Sequence, residues 1–174
     1  MTVKSLTVNE ALRYANHDFL NHLHLIQMNL DLQRVNEAKE TIAQLSEHCK
    51  MLSNINQLKL PKTVEWLQTV SWRYPAIQLC LSSQVAVQVN SKYDEAIVQY
   101  LENTIIHAYE SLDPYEQQQL QLRIESNEKQ CQFTFQLTGK WQQLLFDTEQ
   151  NILNVKTYEQ TDTSWKYVLS IYEE

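Results

Sequence analysis

The sequence predicts an α+β protein: an N-terminal antiparallel helical hairpin that forms a dimeric four-helix bundle, followed by a small α/β sandwich domain. Apolar residues recur at three- and four-residue spacing over residues 12–30 and again over 38–52, with a short turn between them. This pattern is typical of two helices joined as a hairpin. Alternating apolar and polar residues over 120–125 and 132–137 instead predict a β-hairpin.

The first helix is predicted to begin at Val8 and to run to about Arg34. The sequence Thr7-Val8-Asn9-Glu10 has the form of a capping box, in which the threonine and glutamate side chains each bond the other residue's backbone N–H. On a helix of about 100° per residue, five apolar side chains share a narrow stripe. The residues of this apolar stripe are Leu12, Phe19, Leu23, Ile26 and Leu30.

A second helix is predicted from Asn36, which is a good N-cap residue. Its apolar positions again step by four and three, and one hairpin cannot bury the seams of both helices by itself. Pairing with a second copy of the chain would bury them, so the sequence predicts a homodimer. The apolar positions are Ala38, Ile42, Leu45, Cys49 and Leu52.

The sequence Leu58-Lys59-Leu60-Pro61 is interpreted as a linker, so that the hairpin domain comprises residues 1–60 and the α/β domain residues 61–174. The second domain is predicted to mix helices and strands. In chain order we expect a helix over Thr63–Trp72, strands over Ile77–Leu81 and Val85–Val89, a helix over Tyr93–Leu112, hairpin strands over Leu120–Glu125 and Gln132–Leu137, a helix over Trp141–Asn151 and a strand over Trp165–Tyr172.

The composition argues against several functions. A net charge of −7 disfavours a nucleic-acid surface, which needs clustered Lys and Arg. The single glycine, Gly139, cannot supply a P-loop or a dinucleotide-binding turn, so nucleotide chemistry is not expected. The sequence shows no membrane-span or signal-peptide pattern, and we expect a cytoplasmic protein without a membrane partner. Cys49, Cys80 and Cys131 are interpreted as reduced core thiols.

His17 is the strongest candidate for chemistry. It projects roughly 140° from the apolar stripe, which presents it to solvent or to a partner. A phosphorylatable histidine needs such an exposed ring and neighbours that orient it: Asp18 can fix the tautomer, and Asn21 can hold the ring or phosphoryl oxygens. The alternatives are an ordinary surface histidine, or a zinc or iron site at Asp18 and His22, for which no third convergent ligand is evident.

The sequence His17-Asp18-Phe19-x-Asn21-x-Leu23-x-x-Ile26, followed by Asn29-Leu30-x-Leu32-Gln33, resembles the phosphorylation helix of the sporulation initiation phosphotransferase B family of two-component phosphorelays. The resemblance continues through the second helix and more loosely beyond it. It implies that His17 accepts a phosphoryl group from one response-regulator receiver domain and passes it to another. Asp18 and Asn21 would be its catalytic neighbours. Mg²⁺ would be supplied by the receiver, with no cofactor of the chain's own.

The C-terminal half resembles a degenerate histidine-kinase ATPase domain. Leu101–Ala108 lies where such kinases carry their magnesium-binding helix, and His107 takes the position of the metal-binding asparagine. The glycine-rich boxes that enclose ATP in those kinases are missing. The resemblance therefore implies that ATP-driven autophosphorylation is lost, and we interpret Asn103 and His107 as part of a structural helix.

Three residues flank His17 on the helix and are expected to help form the surface on which the receiver domain docks: Leu20, His24 and Met28. Two other classes of function stay open. The chain could be a non-catalytic dimeric adaptor that binds kinases or regulators, or an ATP-dependent autokinase of the sensor-kinase type. The low glycine content weighs against the autokinase, and the His-Asp-x-x-Asn constellation weighs against the adaptor.

Overall fold

The computed structural model describes residues 6–113, 115–142 and 152–172. The chain forms two compact units, Met1–Ser53 and Asn54–Glu174. Among the described residues, two α-helices come first, and two further α-helices with a five-stranded mixed sheet follow, which confirms the predicted α+β class. Within the described ranges, every helix is too short or too polar to cross a membrane.

The first unit contains helix α1 (Val8–Asp31) and most of helix α2 (Val35–Ile55). The predicted capping box is present: the Thr7 hydroxyl accepts from the Glu10 N–H at 3.2 Å, and the Thr7 N–H donates to the Glu10 carboxylate at 2.9 Å. Helix α1 ends three residues before the predicted Arg34. Helix α2 begins at Val35, one residue before the predicted Asn36 cap, and the turn between the two helices comprises residues 32–34.

The buried residues of the first unit are small or polar. Asn29, Ala38 and Thr41 are each less than a tenth exposed, and the Thr41 hydroxyl donates to the Glu37 carbonyl at 3.0 Å. From Ala11 onward, the half-buried positions on α1 recur at three- and four-residue spacing, and they define the half-buried side of the helix. They are Ala11, Tyr14, Asp18, His22 and Ile26.

The apolar stripe of α1 is exposed within the single chain. Four of its side chains, Leu12, Phe19, Leu23 and Leu30, are between 42% and 57% exposed. Only Ile26 also belongs to the half-buried side. The residues that the periodicity marks as a packing face are therefore available to a surface outside the chain.

The second unit contains helices α3 (Pro61–Arg73) and α4 (Asp94–Tyr109) and a five-stranded sheet. The strand order of the sheet is β1-β2-β3-β5-β4. Strands β1 and β2 are parallel, with α4 in the connection between them, and all other neighbours are antiparallel. The strands are β1 (Ile77–Val85), β2 (Gln118–Ser126), β3 (Gln130–Thr138), β4 (Asn154–Gln160) and β5 (Ser164–Tyr172). The core combines aliphatic and aromatic residues, with Phe133, Phe135, Trp165 and Tyr167 among its fully buried side chains.

Several sequence expectations for this unit need correction. Strand β1 includes the strand predicted over 77–81 and continues to Val85, whereas residues 86–89 of the second predicted strand are not in a strand. Strand β4 was not predicted. Helix α4 ends at Tyr109, before the predicted Leu112, which instead forms an isolated bridge with Trp141. Of the predicted helix over 141–151, residues 143–151 lie outside the described residues.

The predicted linker is not an exposed connection. Leu58 and Leu60 are fully buried, while Lys59 between them adopts a left-handed φ of 60° and points its side chain outward. Burial of two leucines explains why this segment packs. The expectation of core thiols holds only for Cys131, because Cys49 and Cys80 lie on exposed positions of α2 and β1.

A carboxylate of α4 caps the start of α3. The buried Asp94 accepts hydrogen bonds from the backbone N–H groups of Lys62 (2.9 Å) and Thr63 (2.8 Å), and from the Thr63 hydroxyl (2.8 Å). Helix α3 has no capping side chain of its own at Leu60. Asp94 thus satisfies N–H groups that the helix leaves without intrahelical partners.

Replacing Asp94 by alanine is expected to lower the free energy of unfolding of the second unit by about 2–3 kcal/mol, because buried donors lose their acceptor. Asp94→Asn keeps one acceptor oxygen and should lose about half as much. Urea unfolding followed by tryptophan fluorescence measures this, since all four tryptophans lie in the second unit. Lys62→Ala, which removes only an exposed ion pair with Glu95, is the control. Equal midpoints for Asp94→Ala and this control would contradict the cap.

Candidate active site

His17 lies on a side of α1 that is neither half-buried nor part of the apolar stripe. Its side chain is 70% exposed. At about 100° per residue, it projects roughly 140° from the stripe and about 100° from the half-buried side. The helix therefore has three sides, and the histidine side is open to a partner without disturbing the other two.

Two neighbours contact the same ring nitrogen of His17. The Asp18 carboxylate oxygen Oδ1 lies 3.4 Å from Nδ1, and the Asn21 amide nitrogen Nδ2 lies 3.2 Å from it. The other nitrogen, Nε2, has no hydrogen-bond partner among the described residues. The arrangement holds the ring at one nitrogen and leaves the second one accessible.

The contact with Asp18 has a chemical consequence for the ring. A carboxylate only accepts hydrogen bonds, so its contact with Nδ1 favours the tautomer in which Nδ1 carries the proton. Nε2 then has a free lone pair, which is the form that attacks an electrophile. In the tautomer that Asp18 favours, His17 therefore presents an exposed nitrogen nucleophile.

The ring of His22 is hydrogen-bonded to the backbone of its own helix. Its Nδ1 donates to the backbone carbonyl of Asp18 at 2.7 Å, and the side chain is half-buried. The i, i+4 spacing that suggested a metal pair with Asp18 thus serves a backbone hydrogen bond. Among the residues that the structure describes, no three His, Cys, Asp or Glu side chains are grouped to hold a metal ion.

The predicted docking residues surround His17 on the exposed side of α1. Leu20 and Met28 are each about half exposed, at 51% and 49%, and His24 is exposed as well. They follow His17 by three, seven and eleven residues, which places all of them on its side of the helix. Two exposed apolar side chains and a second histidine therefore lie on the His17 side of α1.

The residues of α4 have structural partners. The His107 ring meets the buried Trp165 edge-on, with ring centroids 5.6 Å apart. Leu101, Thr104 and Ala108 are buried, whereas Asn103 is half-exposed. At the position that the resemblance assigns to a metal-binding asparagine, this chain therefore has an aromatic packing contact.

Glu102, which the sequence did not single out, anchors a cluster between α3 and α4. Its carboxylate accepts from Arg73 Nη1 at 2.9 Å, from the Tyr74 hydroxyl at 2.8 Å and from the Trp66 indole N–H. The side chains of Arg73 and Glu102 are only 12% and 13% exposed. The Arg73 guanidinium also lies over the rings of Trp66 and Tyr74. We call these four residues the Glu102 cluster.

Burial, together with the hydrogen bond to Glu102, raises the pKa of Tyr74. A raised pKa in the folded state stabilises the fold at every pH below the unfolded tyrosine value of about 10. The contribution is lost as the pH rises from there through the folded value. The Glu102 cluster is therefore a stabilising feature at neutral pH and weakens only in alkali.

Residues 1–58 match the family model described as the alpha-helical domain of SpoOB-type sensor kinases. This match confirms the resemblance predicted from the His17 motif. The match covers 58 of the 174 residues, including both α1 and α2.

No curated protein matches the chain. Among solved structures, a blue-light activated histidine kinase of Erythrobacter litoralis is 14% identical, with 99% of this chain and 62% of that chain covered and a TM-score of 0.45. The Acinetobacter baumannii histidine kinase AdeS is 11% identical over 90% and 97% of the two chains, with a TM-score of 0.41. The catalytic domain of histidine kinase ThkA is 13% identical over 68% and 94%, also with a TM-score of 0.41.

Proposed function

We propose that the chain is a histidine phosphotransferase of a phosphorelay, in which His17 carries the phosphoryl group between response-regulator receiver domains. One observation carries the proposal: an exposed His17 is held at Nδ1 by Asp18 and has an accessible Nε2. The SpoOB-type family of residues 1–58 supports it, because sensor kinases act by phosphoryl transfer.

In the proposed step, the Nε2 lone pair attacks the phosphorus of a phosphoaspartate on the donor receiver. The N–P bond forms as the P–O bond to the aspartate breaks, and the carboxylate of the donor leaves with the electron pair. The ring now bears positive charge at Nδ1–H, which the Asp18 carboxylate compensates. Transfer to the acceptor receiver is the reverse reaction on another aspartate.

This chemistry asks little of the histidine protein beyond in-line positioning and charge compensation. Mg²⁺ would come with the receiver domain, where it offsets the charge of the transferred group, and the chain would need no cofactor of its own. Leu20, His24 and Met28 would form the docking surface, since they surround His17 and two of them expose apolar area. A cytoplasmic location follows from the partner class.

The exposed apolar stripe of α1 would be the seam of a homodimeric four-helix bundle. It lies on a different side of the helix from His17, so a second copy and a receiver can bind at the same time.

Loss of ATP use is supported by the single glycine and by the packing of His107 against Trp165.

The test compares His17→Gln with His22→Gln, the same substitution at two histidines five residues apart on α1. The receiver domains encoded in the same genome are radiolabelled on their aspartates and presented singly with Mg²⁺. Wild type and His22→Gln should acquire acid-labile, alkali-stable label, and His17→Gln should fall to background, a loss of at least about a hundredfold.

Binding to a receiver without label on wild type would favour the adaptor instead. Labelling of wild type by ATP alone would favour an autokinase.

A further inference from the structure

We propose that Asp18 and Asn21 compete for Nδ1 of His17 and so set the tautomer of the ring, with Asn21 restraining the nucleophile that Asp18 activates. The observation is that both side chains approach one nitrogen, at 3.4 Å and 3.2 Å. In a neutral ring Nδ1 either donates or accepts. A carboxylate oxygen only accepts and an amide nitrogen only donates, so the two contacts belong to different tautomers.

The two tautomers differ in reactivity. With Asp18 engaged, the proton is on Nδ1 and Nε2 has a free lone pair. With Asn21 engaged, Nδ1 accepts, the proton is on Nε2, and that nitrogen has no lone pair available for attack on phosphorus. Asn21 is therefore a positioning residue that holds part of the population in an unreactive form. The effect on transfer rests on the proposed function of His17.

Docking of a receiver domain would change the outcome of this competition for Nδ1. Asn21 is exposed one helical turn after His17, on the same side as Met28. A receiver that covers this side of α1 also covers the Asn21 amide and offers it other acceptors. Nδ1 is then left to Asp18, so binding of the substrate itself would release the restraint. In the free protein part of the population would keep the proton on Nε2 and be unreactive, whereas in the docked protein the proton would be on Nδ1 and Nε2 could react.

The experiment reads the tautomers directly. Long-range ¹H–¹⁵N NMR of protein with ¹⁵N-labelled histidine, recorded at a pH where the imidazoles are neutral, distinguishes N–H from bare nitrogen on each ring. His22 supplies the internal standard for the Nδ1–H form, because its Nδ1 donates to a backbone carbonyl. That carbonyl is kept when Asp18 is replaced by alanine. His24, exposed on the same helix, controls for general changes in solvent exposure.

Asn21→Ala should move the His17 pattern toward that of His22, with the ratio of Nδ1–H to Nε2–H rising about fivefold. Asp18→Ala should move it the opposite way. The single-turnover rate of phosphoryl transfer should rise with Asn21→Ala by about the same factor. An unchanged His17 pattern in Asn21→Ala, a shift toward Nε2–H, or a slower transfer despite the expected shift would each overturn the restraint.

The outcome is separable from that of the proposed function. The NMR pattern is recorded on the protein alone, so a tautomer shift without any phosphorylation of His17 would refute the phosphotransferase and leave the competition in place. Phosphorylation of His17 with no tautomer shift would do the reverse.

Discussion

Replacing Glu102 by alanine is expected to destabilise the second unit by about 3–5 kcal/mol, because it leaves the Arg73 cation in a largely buried site without its counter-charge. Only about an eighth of either side chain is exposed, at 12% and 13%. The Tyr74 hydroxyl and the Trp66 indole N–H lose the same acceptor. The substitution thus removes one charge and three hydrogen bonds from a single, largely buried position.

Urea unfolding followed by tryptophan fluorescence measures this loss, and Trp66 itself reports on the cluster. Glu95→Ala is the matched control: it lies on the same helix, its side chain is 76% exposed, and it pairs with the exposed Lys62. We expect that control to stay within about 1 kcal/mol of wild type. Glu102→Gln keeps an acceptor oxygen but loses the charge, so its loss of stability should lie between those of Glu102→Ala and Glu95→Ala. A Glu102→Ala midpoint equal to that of Glu95→Ala would show that the cluster contributes no net stability.

Replacing Leu23 by glutamate is expected to dissociate the proposed homodimer. Leu23 is central in the exposed apolar stripe, and burying one carboxylate there costs about 2 kcal/mol per copy or more. A symmetric dimer contains the change twice, so the dissociation constant should rise roughly a thousandfold. Sedimentation equilibrium of wild type and variant over a range of concentrations measures it.

Met28→Glu is the matched control for the dimer. It places the same charge on an equally exposed apolar position of α1, but on the His17 side. This variant should sediment as wild type and instead bind receivers less well, because it lies in the proposed docking surface. A monomeric wild type, or a Leu23→Glu variant that stays dimeric, would rule out the stripe as the seam.

The start of α1 and the β2–β3 hairpin were predictable because each depends on local chemistry. Thr7 and Glu10 satisfy each other's backbone within one turn, and the turn after Ser126 joins two strands of clear alternation. Strand β4 was not predictable in this way. It is an exposed edge strand with an irregularity after Thr157, so its residues show little apolar alternation.

The exposed position of His17 followed from helical geometry alone. Its relation to Asp18 and Asn21 depends on rotamers, which no spacing rule supplies. The Glu102 cluster was out of reach for another reason: its partners Trp66 and Tyr74 lie 36 and 28 residues away and come together only when α3 packs against α4. Hydrophobic periodicity likewise marked the stripe as a packing face but did not show that the polar residues Asn29 and Thr41 are buried within the chain.

The most direct measurement is the position of the phosphoryl group on wild-type protein after exposure to a phosphorylated receiver domain. Trypsin releases residues 14–34 as one peptide, which carries His17, His22 and His24, and fragmentation that spares the N–P bond assigns the modified ring. We expect the phosphoryl group on His17 alone. Phosphate on His22 or His24, or a receiver that binds without transferring its phosphate, would contradict the assignment of His17 as the phosphoryl carrier.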